Sequence, residues 1–279
     1  MRALGFYFET ILRLSGSVYD HDFVLRCLPR SSARQTVMDS NVTTSPSTAL
    51  VRQVDGFGNI LLSGRIPQKH DLFSFFVSGV VLVDEEARLG DSPWKDGPES
   101  PLFSHESALT KPDLAIRQFA ADVLVSMGGA SAYERAVALC KAVGERMSYV
   151  PGSTDVATTA GEALAKGSGV CQDYTHILLA LCRYAGIPAR YASGFLLGEG
   201  ATHAWVEVFD GKHWRGLDPT NGREAGDDYI VMSYGRDFDD CSIERGVFRG
   251  CVQQTQTVRV TVRDEAFEEQ GGGVDLGAD

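Results

Sequence analysis

One cysteine, Cys171, stands where the sequence favours a reactive thiol. It follows Gly167-Ser-Gly-Val170 and opens an apolar stripe with helical spacing, which predicts that it lies in the first turn of a helix. The unpaired N–H groups and partial positive charge of a helix N-terminus favour a thiolate and can hold a developing oxyanion. Taken alone, the pattern also fits a buried cysteine that packs as a small apolar residue. A nucleophilic role therefore requires a base elsewhere in the chain.

Two histidines are candidates for that base. His176 lies five residues after Cys171, which is about 140° around a helix, so its ring does not readily face the thiol. Local packing is the favoured interpretation of His176. His203 is the better candidate, because it begins a strand-like segment that leads into a hairpin signal.

The hairpin predicts an acidic partner for His203. Asp210-Gly211 is the strongest two-residue hairpin signal in the chain. A two-residue loop pairs Phe209 with Lys212 and places His203 directly opposite Asp218, with Cβ atoms about 5 Å apart on one face. A carboxylate there can fix the imidazole tautomer and stabilise the imidazolium. An ordinary cross-strand ion pair is the alternative, and a one-residue shift would separate the two side chains. With the cysteine at a helix start, the pair favours a catalytic triad.

The elements that must position these residues form two regions of different character. Alternating apolar residues dominate the first part, which is typical of strands, and a proline-rich stretch separates it from segments with helical spacing. Acidic residues without any Lys or Arg fill the C-terminal end. The predicted organisation is a β-rich N-terminal domain, a linker, a catalytic domain and a mobile acidic tail, at residues 1–90, 91–113, 114–263 and 264–279.

The second region predicts helices followed by strands. Ser131-Ala-Tyr-Glu134 and Thr159-Ala-Gly-Glu162 are capping boxes that begin helices, and Gly186 closes the helix that Cys171 opens. The predicted strands are residues 189–197, 203–209, 214–218 and 256–262. Together with the β-rich first region, this order of elements predicts an α+β fold.

Composition limits the possible partners. The chain has 279 residues, 43% hydrophobic and 23% charged, which is ordinary for a folded protein and excludes a disordered one. A net charge of −11 argues against nucleic acid as the main partner. No apolar run reaches the roughly 18 residues that a membrane span needs. Glu9 and Arg13 interrupt the apolar N-terminus, which predicts a strand and no secretion signal.

The cysteines and the missing ligand motifs favour an enzyme that needs no cofactor or metal. The six cysteines contain no C-x-x-C pair, which predicts reduced thiols and a cytoplasmic location. Close Cys/His pairs for zinc, an acidic calcium loop and the Gly-Lys-Ser end of a phosphate loop are all missing from the sequence.

Several motifs together resemble the core of the bacterial transglutaminase-like superfamily. They are Gly169-Val-Cys-Gln-Asp-Tyr-Thr-His176, Gly186-Ile-Pro-Ala-Arg-Tyr191, His203-Ala-Trp-Val-Glu207, Asp218-Pro-Thr-Asn221, Gly235-Arg-Asp-Phe-Asp-Asp240 and Arg245-Gly-Val-Phe-Arg-Gly250. The resemblance implies a papain-like fold for the catalytic domain. Residues 1–90 are similar to the β-rich, sandwich-like domain that often precedes this core.

The resemblance also implies roles for individual residues. Cys171 matches the family's nucleophile, His203 its general base and Asp218 its orienting acid. We expect these residues to act on an amide or peptide bond of a protein or peptide substrate through a thioester. Gln172, Trp205 and Trp214 are candidates for the substrate pocket. Core packing of the hairpin is an equal alternative for the two tryptophans.

The activities of the family leave the reaction open. Relatives transfer amines, hydrolyse amides or peptides, or are catalytically silent. Hydrolysis of the protease or amidase type is the prediction, because nothing in the sequence beyond Trp205 and Trp214 marks an apolar channel for an amine acceptor. The alternatives are protein-glutamine gamma-glutamyltransferase activity and a silent binding module on the same fold.

Overall fold

The computed structural model describes residues 1–84 and 101–265 as an α+β fold. The strands are β1 (Arg2–Leu25), β2 (Gln35–Ser45), β3 (Val51–Val54), β4 (Ile60–Ile66), β5 (His70–Val83), β6 (Ser148–Tyr149), β7 (Ser168–Gly169), β8 (Ala189–Leu196), β9 (Gly198–Gly200), β10 (His203–Phe209), β11 (Trp214–Asp218), β12 (Arg223–Glu224), β13 (Tyr229–Gly235), β14 (Glu244–Arg249) and β15 (Gln254–Asp264). The helices are α1 (Leu114–Leu124), α2 (Ala132–Arg146), α3 (Ala160–Lys166), α4 (Cys171–Tyr184) and α5 (Phe238–Cys241).

The long strand β1 organises the β-rich part. Its first half pairs with β5 and β15, and its second half pairs with β4 and β14. The register against β5 shifts between Arg13 and Val18, so the strand passes from one group of partners to the other. Alternating residues of β1 are buried in an aromatic-rich core with β4, β5 and β15. The strand runs without a break through the less apolar residues between Leu14 and Phe23, where the alternation in the sequence is interrupted.

Three strands of the predicted catalytic region, β9, β14 and β15, lie in the same sheet as β1. β14 and β15 pair with β1, and β15 also pairs with β9. Alternation of apolar residues predicted the strand at 256–262, but alternation alone does not say which sheet a strand joins. Of the predicted linker, residues 91–100 lie outside the described residues, as do residues 266–279 of the predicted tail. The domain boundaries stay a prediction.

The second sheet carries the hairpin with His203 and Asp218. Its strand order is β12-β11-β10-β8-β13. α4 packs on one face of this sheet, and α1, α2 and α3 surround α4 in one apolar core. Both predicted capping boxes form, at Ser131 with Glu134 and at Thr159 with Glu162. Within residues 1–84 and 101–265, no helix is long and apolar enough to cross a membrane.

Two side-chain amides join the β-rich part to the second sheet. Gln35 accepts a hydrogen bond from the N–H of Val231 and donates one to its carbonyl, at 2.8 and 2.7 Å. Asn59 makes the same pair of bonds with the backbone of Tyr234, at 2.8 and 2.7 Å. All four residues are buried. The two amides thus satisfy backbone groups on the outer edge of β13, where a further strand would otherwise pair.

Buried histidines contact neighbouring elements in both the helical part and the β-rich part. His176 of α4 accepts a hydrogen bond from the N–H of Phe238 at 3.2 Å and packs on Tyr191. His21 lies 3.2 Å from His70 between their ring nitrogens. Burial lowers the pKa of His176 to about 3 and that of His21 to about 4. Both rings are therefore neutral in the folded protein at neutral pH.

These pKa values predict that the fold loses stability in mild acid. A histidine whose pKa is lower in the folded protein than in the unfolded chain takes up its proton at a higher pH in the unfolded chain. As pH falls below about 6.5, protonation of the unfolded chain therefore removes stability from the fold. We expect the free energy of unfolding to fall from pH 7.5 to pH 5, and His176→Gln to reduce that fall by ~2 kcal/mol. Urea unfolding at the two pH values measures the difference.

A matched variant at the exposed His105 is the control for this prediction. His105→Gln should leave the pH dependence as in the wild type. Equal pH dependence in the wild type and His176→Gln would contradict the assignment of His176 as a buried neutral ring.

Candidate active site

The thiol of Cys171 lies at the first residue of α4 and is partly exposed. The turn before it is fixed by Asp173, whose carboxylate accepts hydrogen bonds from the N–H of Val170 at 2.7 Å and from the hydroxyl of Thr154 at 2.6 Å. Burial raises the pKa of Asp173. The helix N-terminus places free N–H groups next to the sulfur, which favours negative charge there.

The hairpin that carries His203 and Asp218 has a different register from the predicted one. Phe209 pairs with Trp214 and not with Lys212, so the loop holds four residues, 210–213. The Asp210 carboxylate accepts hydrogen bonds from the N–H groups of Lys212 and His213, both at 2.8 Å, and stabilises the longer loop. The prediction of directly opposed side chains was therefore wrong.

The shift moves the pairing by two residues, so His203 and Asp218 keep the same face. They become diagonal neighbours, and side chains of this length reach each other across such a pair. His203 Nε2 lies 2.6 Å from Asp218 Oδ2. Cys171 also lies close enough to the ring to raise its pKa. The structure thus brings together the three residues on which the sequence interpretation depended.

The charge of Asp218 favours a protonated His203. Burial lowers the pKa of the ring, but the hydrogen bond to Asp218 and the proximity of Cys171 raise it more, to about 10. Asp218 itself is fully buried. Burial raises the pKa of its carboxyl group, and the bonds from His203, Tyr229 and Asn221 outweigh this effect and lower the pKa below its usual value. An imidazolium facing a thiol stabilises the thiolate.

Five hydrogen bonds hold the Asp218 carboxylate. Besides His203, Oδ2 accepts from the amide of Asn221 at 2.7 Å and from the hydroxyl of Tyr229 at 2.7 Å. Oδ1 accepts from the N–H groups of Thr220 and Asn221, at 2.9 and 3.2 Å. The loop after β11 and the strand β13 therefore both contribute to the position of this one carboxylate.

The three predicted pocket residues have different positions. Trp205 is fully buried behind His203, with ring centroids 6.3 Å apart, so it is a core residue and does not line a pocket. Trp214 lies at the loop end of the hairpin against Phe209 and Phe103, about 20 Å along β10 from His203 at 3.4 Å per residue. The structure therefore supports the packing alternative for both tryptophans. Gln172 lies next to the nucleophile and is partly exposed, and its side-chain amide donates to the carbonyl of Val156.

Other residues at the site were missed in the sequence. Tyr149 of β6 lies beside the nucleophile, because β6 pairs with β7 immediately before Cys171. Burial and then the charge of Cys171 raise the pKa of the Tyr149 hydroxyl. The pairing of Ser148 and Tyr149 is too short to leave a periodic signal. Tyr229 was missed because it belongs to β13, a strand that was not predicted.

The described residues contain no group of three His, Cys, Asp or Glu side chains that could hold a metal ion. His203 contacts Asp218 and is also close to the thiol. Such a thiol, base and acid can perform nucleophilic attack on a carbonyl carbon with proton transfer by the imidazole.

Known families and proteins match both parts of the chain. Residues 118–219 match the transglutaminase-like superfamily, and residues 7–82 match the bacterial transglutaminase-like N-terminal region. The chain is 30% identical over 239 residues to an uncharacterized protein of Mycobacterium leprae, covering 81% of this chain and 85% of that protein. It is 29% identical to an uncharacterized protein of Mycobacterium tuberculosis, over 78% of this chain and 79% of that protein.

A solved structure shares the whole fold. A Cytophaga hutchinsonii protein, named as a candidate cysteine protease, superposes with a TM-score of 0.76 at 20% sequence identity, covering 96% of this chain and 92% of that chain. The α+β fold, with a transglutaminase-like core and a β-rich N-terminal region, is confirmed. The match to both regions and the identity to its relatives show that the chain belongs to the bacterial transglutaminase-like superfamily.

Proposed function

We propose that the protein is a cysteine hydrolase that cleaves an amide bond of a protein or peptide through a thioester on Cys171. The observation that carries the proposal is the 2.6 Å contact between His203 and Asp218, with a thiol at a helix N-terminus close enough to raise the pKa of the same imidazole. A structural ion pair needs no such thiol, whereas nucleophilic catalysis needs all three groups together.

The proposed reaction has two halves that share His203. The Cys171 thiolate attacks the carbonyl carbon, and the helix N–H groups stabilise the oxyanion. The imidazolium then gives its proton to the leaving nitrogen as the C–N bond breaks, which leaves a thioester and a free amine. In the second half, neutral His203 takes a proton from water and the hydroxide adds to the thioester carbonyl. The C–S bond then breaks, which releases the acid and restores the Cys171 thiolate beside the His203 imidazolium.

The choice of water over an amine rests on what surrounds the nucleophile. Both tryptophans that could have lined an acceptor channel are placed elsewhere, Trp205 in the core and Trp214 at the far end of the hairpin. An amine must be bound and water excluded for transfer to exceed hydrolysis. The name of the Cytophaga hutchinsonii protein, a candidate cysteine protease, agrees with hydrolysis. The alternatives are amine transfer and binding without catalysis, and the reactivity of Cys171 and the fate of its thioester distinguish them from hydrolysis.

The reactivity of Cys171 should differ from that of the other thiols. Four of the other five thiols are buried, and burial raises the pKa of each of them: Cys27, Cys140, Cys182 and Cys241. Only Cys251 is exposed. At pH 6 and limiting iodoacetamide, we expect Cys171 to be alkylated at least ~100-fold faster than Cys251, because a helix N-terminus and a nearby imidazolium favour the nucleophilic form of a thiol. Peptide mass spectrometry measures both rates in one sample.

Substitution of Cys171 tests turnover. Cys171→Ala should lower turnover of a peptide or activated ester by at least ~1000-fold while the melting temperature stays close to that of the wild type. Cys251→Ala is the matched control and should keep full turnover. Unchanged turnover in Cys171→Ala would sink the proposal, and slow alkylation of Cys171 would favour a silent binding module.

The fate of the thioester separates hydrolysis from amine transfer. We expect mainly free acid when Cys171 is acylated with a p-nitrophenyl ester and millimolar Nα-acetyl-lysine methyl ester is added, because water competes at about 55 M and no bound acceptor offsets it. Chromatography of the acid and amide products measures the partition. Predominantly amide product would make the protein a transferase.

A further inference from the structure

The side chain of Tyr229 reaches the triad from a strand that is not next to it. β13 is separated from β11 by β8 and β10 in the sheet. Even so, the Tyr229 hydroxyl lies 2.7 Å from Asp218 Oδ2, the same oxygen that accepts from His203. We propose that Tyr229 is a positioning residue of the triad, whose hydroxyl fixes the orientation and charge distribution of the Asp218 carboxylate that His203 needs. This inference rests on the proposed function.

A close approach of three strands makes this reach possible. Gly194 of β8 pairs with His203 on one side and with Val231 on the other. A Cβ atom on Gly194 would lie 1.9 Å from the carbonyl oxygen of Ile230 and 2.9 Å from the ring of Trp205. The absence of a side chain at 194 therefore leaves room for the rings that lie between β13 and the triad.

An aromatic cluster then holds the phenol ring in place. Tyr229 packs edge-to-face on Trp205, with centroids 5.2 Å apart, and its ring centroid lies 6.1 Å from that of His203. Tyr229 and Trp205 are fully buried. Packing thus fixes the direction of the hydroxyl, and the phenol has little freedom to leave the carboxylate.

The charges around Tyr229 keep it a donor. Burial and then the negative charge of Asp218 raise the pKa of the phenol far above its usual value, so it stays protonated. From β12, the guanidinium of Arg223 lies 4.9 Å from the centre of the ring and is paired with Asp228 at 2.6 Å.

Four titratable groups lie near Asp218 on the other elements. They are His203 of β10, Cys140 of α2, whose pKa is raised by burial and then by Asp218, Arg223 of β12, whose pKa Asp218 helps to raise, and Cys171 of α4, which Asp218 reaches through His203. Of these, His203 alone donates a hydrogen bond to the carboxylate. Removing the phenol hydroxyl therefore changes the charge that Oδ2 presents to His203 and leaves the other neighbours in place.

The loss of one donor has opposite effects on the two halves of the reaction. A carboxylate with fewer hydrogen bonds is more basic, so it stabilises the His203 imidazolium more strongly. The thiolate facing that imidazolium should then persist at lower pH. Neutral His203, which must take the proton of water to resolve the thioester, should form only at higher pH. A residue that only supports the fold would not move two pH profiles in opposite directions.

Tyr229→Phe tests this signature in the full chain, because phenylalanine keeps the ring and removes only the hydroxyl. We expect the midpoint for alkylation of Cys171 by iodoacetamide to move down by about half a pH unit, and the midpoint for deacylation of a p-nitrophenyl ester adduct to move up by about as much. Deacylation at pH 7 should slow several-fold. Stopped-flow absorbance and mass spectrometry give the two profiles.

Tyr234→Phe is the matched control. Tyr234 is a buried tyrosine of the same strand, and its hydroxyl donates to another buried carboxylate, that of Glu207, at 3.0 Å. Loss of the Tyr234 hydroxyl should lower the melting temperature about as much as loss of the Tyr229 hydroxyl. It should leave both pH profiles unchanged. Wild-type profiles in Tyr229→Phe, or equal changes in Tyr234→Phe, would overturn the inference.

Asn221→Ala provides a second arm if Tyr229→Phe does not fold. Asn221 is exposed, and its amide donates to the same oxygen of Asp218 at 2.7 Å. The same opposite changes are expected, and unchanged profiles would overturn the inference about donors on Oδ2. Failure of the proposed function would be visible separately, because wild-type Cys171 would then be alkylated no faster than Cys251.

Discussion

The buried charge of Asp218 is the constraint on which the site depends. A carboxylate without access to water is strongly destabilising unless hydrogen bonds and an opposite charge compensate it. Asp218 meets this requirement with donors from three places: the ring of His203, the turn at Thr220 and Asn221, and the hydroxyl of Tyr229. The end of the hairpin, the loop after it and a distant strand therefore have to adopt one arrangement together.

A second buried carboxylate positions the loop that carries the nucleophile. The carboxylate of Asp173 is also buried, and it binds the N–H of Val170 and the hydroxyl of Thr154 on either side of the turn before α4. One acid thus fixes the loop that presents the thiol, and another fixes the imidazole. Because Asp173 binds groups near Cys171 without contacting His203, the two halves of the site are supported independently.

The sequence predicted the local chemistry better than the long-range packing. The cysteine at a helix start, both capping boxes and the strands of the hairpin follow from patterns within about 15 residues. The hairpin register does not follow from such local patterns. The Asp210 side chain can support either a two-residue or a four-residue loop, and the sequence does not distinguish the two. The conclusion about His203 and Asp218 survived only because the shift was even, which keeps both on one face.

The remaining features depend on contacts between distant segments. β2 carries few apolar residues and β13 follows a turn-rich stretch, so neither was predicted, and with β13 the role of Tyr229 was missed. Trp205 was compatible with a pocket or with the core, and only the packing of β13 and Tyr229 against it decides for the core. The amide bridges from Gln35 and Asn59 to β13 span more than 170 residues and leave no local pattern.

The position of β15 has a consequence for the order in which the chain folds during its synthesis. β1 is the first of the described strands to be made, but β15, one of the two strands that flank its first half, is made after every other described strand. The second sheet, by contrast, draws all its strands from residues 189–235 and can assemble earlier. During translation the edge of β1 that receives β15 is therefore open while the rest of the chain emerges. Such an unpaired edge is prone to association with other chains, so completing the first sheet late is the step most exposed to aggregation.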